Sequence, residues 1–207
     1  MGSEKLWLDL GGRPLIGHTL VLAAACDLLV VATSPERWDA VRELAAAVAP
    51  AVELRLVAGG VRRQDSVRNG LEATEGCSIV VVHDAARPLC PPALLRDVVA
   101  AASASGAATA AVPCVDSIKR VDDRGVVVES VPRLGLVRVQ TPQAFRRDLL
   151  VEAHRRAVEE GREADDDSAL VETFSAVVTV AGDPSNIKVT TPDDLLTVRR
   201  TLQERVA

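Results

Sequence analysis

Ile79-Val80-Val81-Val82-His83-Asp84-Ala85-Ala86-Arg87-Pro88 sets an unbroken apolar run directly against a charged cluster and a proline. A short run of β-branched residues reads as a strand buried on both faces, as at the centre of a parallel sheet. Pro88 ends regular structure after it. Open α/β sheets bind ligands just beyond the carboxyl ends of their strands, so His83, Asp84 and Arg87 fall at the lip of a candidate site. The stretch reads equally well as a solvated loop in which Asp84 and Arg87 simply pair.

Outward from this strand, the pattern alternates. Leu28–Thr33, Val52–Val57, Ala107–Pro113 and Val177–Val180 read as further strands. Helical stretches run from Pro14 to about Ala25, from Ser34-Pro35 to about Ala49, from about Arg63, and from Pro91-Pro92 to about Ser105. Others run from Arg147 to about Glu160, through Glu172, and from Pro192 onward. Ser34 and Thr191 suit N-caps, with Pro35 and Pro192 at the first helical position. Such alternation specifies an α/β domain with a doubly wound, mostly parallel sheet, here one domain over 1–207. The segment 116–140 departs from it. Ser117–Val121 and Val126–Ser130 flank the turn Asp122–Gly125, a hairpin signal. An isolated hairpin has little core of its own, so this arm is expected to pack on something else, a second subunit being a good candidate. Thr141–Phe145 reads as a lead into the helix at Arg147, and Asn186–Val189 as a short extended piece.

At 207 residues and 48% apolar content the chain can bury a substantial core, but with 2% aromatics that core must be built from Ala, Val, Leu and Ile. A net charge of −5 argues against a nucleic-acid binder. The four cysteines (Cys26, Cys77, Cys90 and Cys114) lack CxxC spacing and read as small buried hydrophobes rather than a zinc site or disulfide framework. Neither a signal peptide nor a membrane-length apolar run is present in the sequence, so a cytoplasmic protein is expected, with no membrane partner.

Four groups carry candidate chemistry: Lys5; Gly59-Gly60 with Arg63 and Ser66; His83 to Arg87; and Asn186-Ile187-Lys188. A glycine pair lets a nucleotide approach the backbone, and Ser66 either donates to a sugar or base or caps its helix. Several basic residues around a strand-end crevice suit a phosphorylated substrate, although each one alone reads as a surface charge. Asp165-Asp166-Asp167 reads as a helix start favourable to the dipole rather than a metal site. No GxGxxG follows any predicted strand, which sets aside a dinucleotide enzyme.

Five motifs in order resemble the 2-C-methyl-D-erythritol 4-phosphate cytidylyltransferases. They are Lys5-x-x-Leu8-x-Leu10-x-Gly12-Arg13-Pro14-Leu15-x-x-His18-Thr19, Gly59-Gly60-x-x-Arg63-x-x-Ser66-Val67, Val82-His83-Asp84-Ala85-Ala86-Arg87-Pro88, Thr141-Pro142-Gln143-x-Phe145 and Asn186-Ile187-Lys188-Val189-Thr190. The resemblance implies transfer of CMP from CTP to a sugar-alcohol phosphate, with release of pyrophosphate. It assigns Lys5 and Lys188 to the CTP phosphates as catalytic groups, and Gly59, Gly60, Ser66 and Ala85 to the cytidine. Asp84, Arg87, Ser117, Arg133 and Thr141 fall to the acceptor, the arm residues serving a neighbouring subunit's site in a homodimer. Mg²⁺ is expected on the triphosphate, held mainly by phosphate oxygens and water. A ribitol 5-phosphate cytidylyltransferase shares most of these motifs. A non-catalytic nucleotide-binding or dimerisation module is the alternative from another class.

The family pattern begins with a strand and a glycine-rich loop, Ala-Ala-Gly-x-Gly-x-Arg-Met-Gly, and this sequence matches only its closing Met-Gly, as Met1-Gly2. The resemblance therefore implies that the first strand, the loop and its arginine are missing. Neighbouring strand edges should then be left unpaired and apolar. An upstream start with about 20 further residues is favoured over a shortened chain or a weak or inactive relative.

Overall fold

The computed structural model describes residues 3–206. A 3-10 turn, Ser3–Trp7, precedes α1 (Leu15–Leu20), whose continuation Val21–Ala25 tightens to 3-10, so the expected single helix is split in two. Then follow β1 (Leu28–Thr33), α2 (Trp38–Val48), β2 (Glu53–Ala58), α3 (Arg63–Glu72), β3 (Ile79–Val82), α4 (Pro92–Ser105) and β4 (Ala107–Pro113). The arm is β5 (Ile118–Val121) and β6 (Val127–Val131), after which come β7 (Val137–Arg146), α5 (Arg147–Glu160), α6 (Asp167–Val171), β8 (Val178–Ala181) and α7 (Pro192–Val206). Thr191 caps α7 as expected: the amide of Asp194 donates to Thr191 Oγ1, and the amide of Thr191 donates back to Asp194 Oδ2. Ser34 has cap backbone geometry but no side-chain cap bond.

The main sheet has four strands in the order β3-β7-β4-β8. β4 and β8 are parallel, while β7 is antiparallel to both β3 and β4. Three of the four strands thus run one way, as the alternation predicts. The exception is β7, which contains the Thr141–Phe145 stretch expected to lead into a helix. The chain leaves β4, makes the arm and returns without a crossover helix, and a strand that returns directly must be antiparallel. Asn186–Val189 joins no strand; it is an ordered loop.

The sheet buries both faces. Val80, Ala107 and Phe145 pack under Leu150 and Ala153 of α5 and Leu170 of α6. Ala108, Ala110 and Ala144 pack against Leu94, Val98 and Ala102 of α4, the small strand residues letting that helix come close. Each large apolar side chain buried this way contributes roughly 1.5–3 kcal/mol.

β1 and β2 form a separate parallel pair. Among the described residues β1 pairs only with β2, and β3 only with β7, so each presents a free edge. Both free strands wall a cavity of about 800 Å³, lined from Leu28 to Ala32 on one side and from Ile79 to Val82 on the other. Ile16, Leu20, Val67, Leu71 and Val99 close it. The unpaired, apolar edges expected from the sequence are thus present, and they face one space.

Candidate active site

Three loops converge at the carboxyl edge of the strands: Gly59-Gly60 after β2, His83–Arg87 after β3, and Gly182–Lys188 after β8. The middle loop is held from several directions. Thr19 Oγ1 donates to the Ala85 carbonyl, the Val189 amide to the Ala86 carbonyl, and the Arg87 amide to the Asp84 carbonyl. The Asp84 amide donates to Thr141 Oγ1 at 2.9 Å. That hydroxyl also lies 3.0 Å from His83 Nδ1. Burial pushes His83 down to about 4, against the opposing pull of Asp84, so the ring is neutral at pH 7.

The Lys188 loop is docked onto this one. Arg87 Nη1 donates to the Asn186 carbonyl at 2.7 Å, and Asn186 Nδ2 to the Thr141 carbonyl at 2.9 Å. Gln140 Nε2 donates to the Asp183 carbonyl. Gln140 and Thr141 belong to the step of β7 where the pairing with β4 shifts register, which releases their polar groups toward the loops.

At the centre stands the Asp84 carboxylate. Its Oδ1 accepts from Arg63 Nε at 3.1 Å; its Oδ2 lies 2.9 Å from Lys188 Nζ and 3.6 Å from Arg87 Nε. Burial raises the Asp84 carboxyl, but Arg63 and Lys188 outweigh it and hold it below the usual carboxylate range. Arg63 reaches back to Asp167 Oδ2 at 2.7 Å. Two carboxylates therefore meet three basic side chains, leaving positive charge in excess at a strand-end crevice, which suits a polyphosphate.

The Gly59-Gly60 loop sits at the start of α3. A Cβ on Gly60 would lie 2.3 Å from Asp65 Cβ and 2.9 Å from the Ser66 amide nitrogen, so glycine is required there by the helix itself. Gly59 has no such constraint, its nearest atoms lying 3.7 Å away. The Gly60 amide donates to Ser66 Oγ at 2.9 Å, and that hydroxyl donates to the Arg62 carbonyl.

The structure thus brings together Gly60, Ser66, Asp84, Ala85, Arg87, Thr141 and Lys188. Thr141 and Arg87 are buried, their side chains bonded to other parts of the loops. Lys5 is half-buried on the opening turn and makes no ion pair among the described residues. Its neighbour Leu6 packs on the cluster holding Leu89 and Val189, which flank Arg87 and Lys188 closely in sequence. Ser117 and Arg133 stand apart. They line a hollow of about 310 Å³ at the base of the arm, which none of the Asp84-loop residues lines, and Arg133 donates to the Val115 carbonyl. The acidic run divides: Asp166 caps α6, accepting from the Ala169 amide at 3.0 Å, whereas Asp167 turns inward to Arg63 and His154. Asp167 is the site-linked residue that the sequence reading missed. Its only signal was adjacency to a cap.

Among the described residues no group of three or more His, Cys, Asp and Glu is placed to cage a metal ion. The donor set at Asp84 is one carboxylate shared among cations, which fits a metal carried on phosphate oxygens and does not fit a protein cage. No described helix is long and apolar enough to cross a membrane.

Fold and site together define an α/β nucleotidyltransferase. The family model of the 2-C-methyl-D-erythritol 4-phosphate cytidylyltransferases (IspD) matches residues 1–204, and the chain belongs to that family. It is 43% identical over 199 residues to the enzyme of that name from Bacillus mycoides (strain KBAB4), covering 94% of this chain and 88% of the relative. It is 44% identical over 214 residues to the bifunctional enzyme IspD/IspF of Anaeromyxobacter sp. (strain Fw109-5), covering all of this chain and 55% of that protein. The structure superposes on the cytidylyltransferase of Thermus thermophilus with a TM-score of 0.82 at 33% identity, over 98% of this chain and 95% of that one. For the 4-diphosphocytidyl-2C-methyl-D-erythritol synthase of Anaerococcus prevotii the TM-score is 0.87 at 27% identity, over 96% and 93%.

Proposed function

We propose that this chain transfers CMP from CTP to 2-C-methyl-D-erythritol 4-phosphate. The observation that carries the reading is the ammonium of Lys188 resting on Asp84 at the carboxyl edge of the sheet, with net positive charge around it. An oxygen of the acceptor phosphate attacks the α-phosphorus of CTP in line; the bond from that phosphorus to the bridging oxygen breaks, and pyrophosphate leaves with the electron pair. Such chemistry asks the protein for positioning and charge stabilisation. Lys188, half-exposed, moves from Asp84 to the α-phosphate as negative charge builds there. Asp84, relieved of Lys188 but still held by Arg63, takes the acceptor hydroxyls. Lys5 meets the remaining phosphates. Gly59, Gly60, Ser66 and Ala85 surround the cytidine, while Arg87 and Thr141 serve through the loops they hold. Mg²⁺, carried on the triphosphate, would neutralise part of its charge.

The arm supports a homodimer. Val121, Val126, Val127, Val128 and Leu134 are exposed on it, Leu134 almost completely, and two strands alone hold little core. Docking of the arm on a second copy would cover these side chains and carry Ser117 and Arg133 to the partner's acceptor phosphate. A cytoplasmic setting agrees with this substrate chemistry.

The test is pyrophosphate release from CTP and Mg²⁺ with 2-C-methyl-D-erythritol 4-phosphate, set beside ribitol 5-phosphate. Release dependent on the first acceptor supports the reading. Preference for ribitol 5-phosphate would reassign the acceptor, and CTP binding with no turnover on either would point to a binding module.

A further inference from the structure

We propose that Asp167 is a positioning residue for the acceptor side of this reaction, acting through Arg63 on Asp84; this rests on the function proposed above. Asp167 is 1% exposed. A carboxylate in that setting costs several kcal/mol unless it is paired and hydrogen-bonded. Both its oxygens are satisfied from distant elements: Oδ2 accepts from Arg63 Nη1 at 2.7 Å and Oδ1 from His154 Nε2 at 2.9 Å. The backbone is pinned as well, because Gln143 Oε1, fully buried on β7, accepts the amides of both Asp167 and Ser168. Asp167 is thus a fixed point in the core.

Arg63 carries that fixed point to the site. One end of its guanidinium is held by Asp167, and Nε at the other end donates to Asp84 Oδ1 at 3.1 Å. A planar fork held by carboxylates on two different elements cannot rotate without breaking one bond. Oδ1 of Asp84 is thereby locked, and Oδ2 is left facing Lys188. A pair that served only the core would end at Asp167 and His154. Here the linkage continues from the core, through a half-buried arginine, to the carboxylate at the centre of the strand-end loops.

The experiment is a double-mutant cycle on the full chain with Asp167→Asn and Arg63→Lys. Asn keeps the shape of Asp and removes the charge; Lys keeps the charge of Arg and cannot span both carboxylates. We expect Asp167→Asn to lower kcat/KM for the acceptor on the order of 10- to 100-fold, with KM for CTP changed less than about twofold. In the Arg63→Lys background the same substitution should cost little more. Full additivity of the two losses would overturn the proposal, and so would equal rises in both KM values. A readout that needs no turnover is the Arg63 Nε–H nuclear magnetic resonance signal. It should be slowly exchanging in the wild type and lose that protection in Asp167→Asn, and unchanged protection would also overturn the proposal. Wild-type protein that turns over neither acceptor counts against the functional reading, while the Nε–H signal still decides whether Asp167 holds Arg63 on Asp84.

Discussion

The ammonium of Lys188 lies 2.9 Å from Asp84 Oδ2 while Arg63 holds the other oxygen of the same carboxylate. The lysine is therefore parked on a group that can release it without itself becoming free. Lys188→Ala should lower kcat by roughly 10²- to 10³-fold, with unfolding in urea little changed because the side chain is half-exposed. Near-normal turnover in that variant would remove Lys188 from the mechanism.

His83 links stability to pH. Its folded value, pushed down to about 4 by burial, lies below the ordinary 6.5. The unfolded chain therefore binds the proton first. The contribution is complete above about 6.5 and is lost as the pH falls toward about 4, the loss reaching about 2 kcal/mol at pH 5. Urea unfolding of wild type at pH 7 and pH 5 should show this loss, and His83→Asn should reduce the difference between the two pH values. An undiminished difference in the variant would exclude His83 as its source.

The two loop glycines should behave differently. Gly60→Ala would drive a Cβ to 2.3 Å from Asp65 Cβ, whereas Gly59→Ala meets only ordinary contacts at 3.7 Å. Thermal unfolding should show about 1–3 kcal/mol lost for the first and less than about 0.5 kcal/mol for the second. Equal losses would contradict the packing of that loop on α3.

The space between β1 and β3 should accept a strand. Glu4 is held by Arg37 just past the carboxyl end of β1, so a strand placed ahead of the chain, parallel to β1, could rejoin it by a loop at the ligand edge. An extension before Met1 carrying a β-branched strand and a glycine-rich loop should protect the edge amides of β1 and β3 from hydrogen exchange. It should raise Tm by about 2–4 °C for each kcal/mol gained. Unchanged exchange at Val30 and Val81 would show that the slot does not take a strand.

The arm predicts its own defect. Leu134→Asp places a charge on a side chain that is 95% exposed in the single chain, so monomer folding should be untouched. Light scattering should show the mass fall from dimer to monomer, and acceptor turnover should fall with it. A wild type that is already monomeric at assay concentration would end the dimer reading.

Much of this architecture was legible residue by residue. β1, β3, β4 and α5 lie at the bounds read from sequence, because a β-branched run or a 3.6-residue period is a local signal. β7 was not legible: Val137–Arg146 contains Pro142 and alternates poorly, and a proline argues against a central strand. Asp165-Asp166-Asp167 was read as one helix start favourable to the dipole. That holds for Asp166, whose cap bond spans three residues, and fails for Asp167, whose partners Arg63 and His154 lie 104 and 13 positions away.

By itself the sequence determined the alternating α/β plan, the arm, the family through its five motifs, and the residues at each strand end. These rest on short-range periodicity and on residue types whose chemistry is intrinsic. Tertiary structure alone decided that β7 runs against its neighbours and that the free edges are those of β1 and β3, facing one cavity. It also decided that Arg87 and Thr141 are tied into the loops and that Asp167 is joined through Arg63 to Asp84. The reason is physical: where a side chain points depends on which distant element covers it, and the pairing of buried charges is settled only when the elements carrying them have packed.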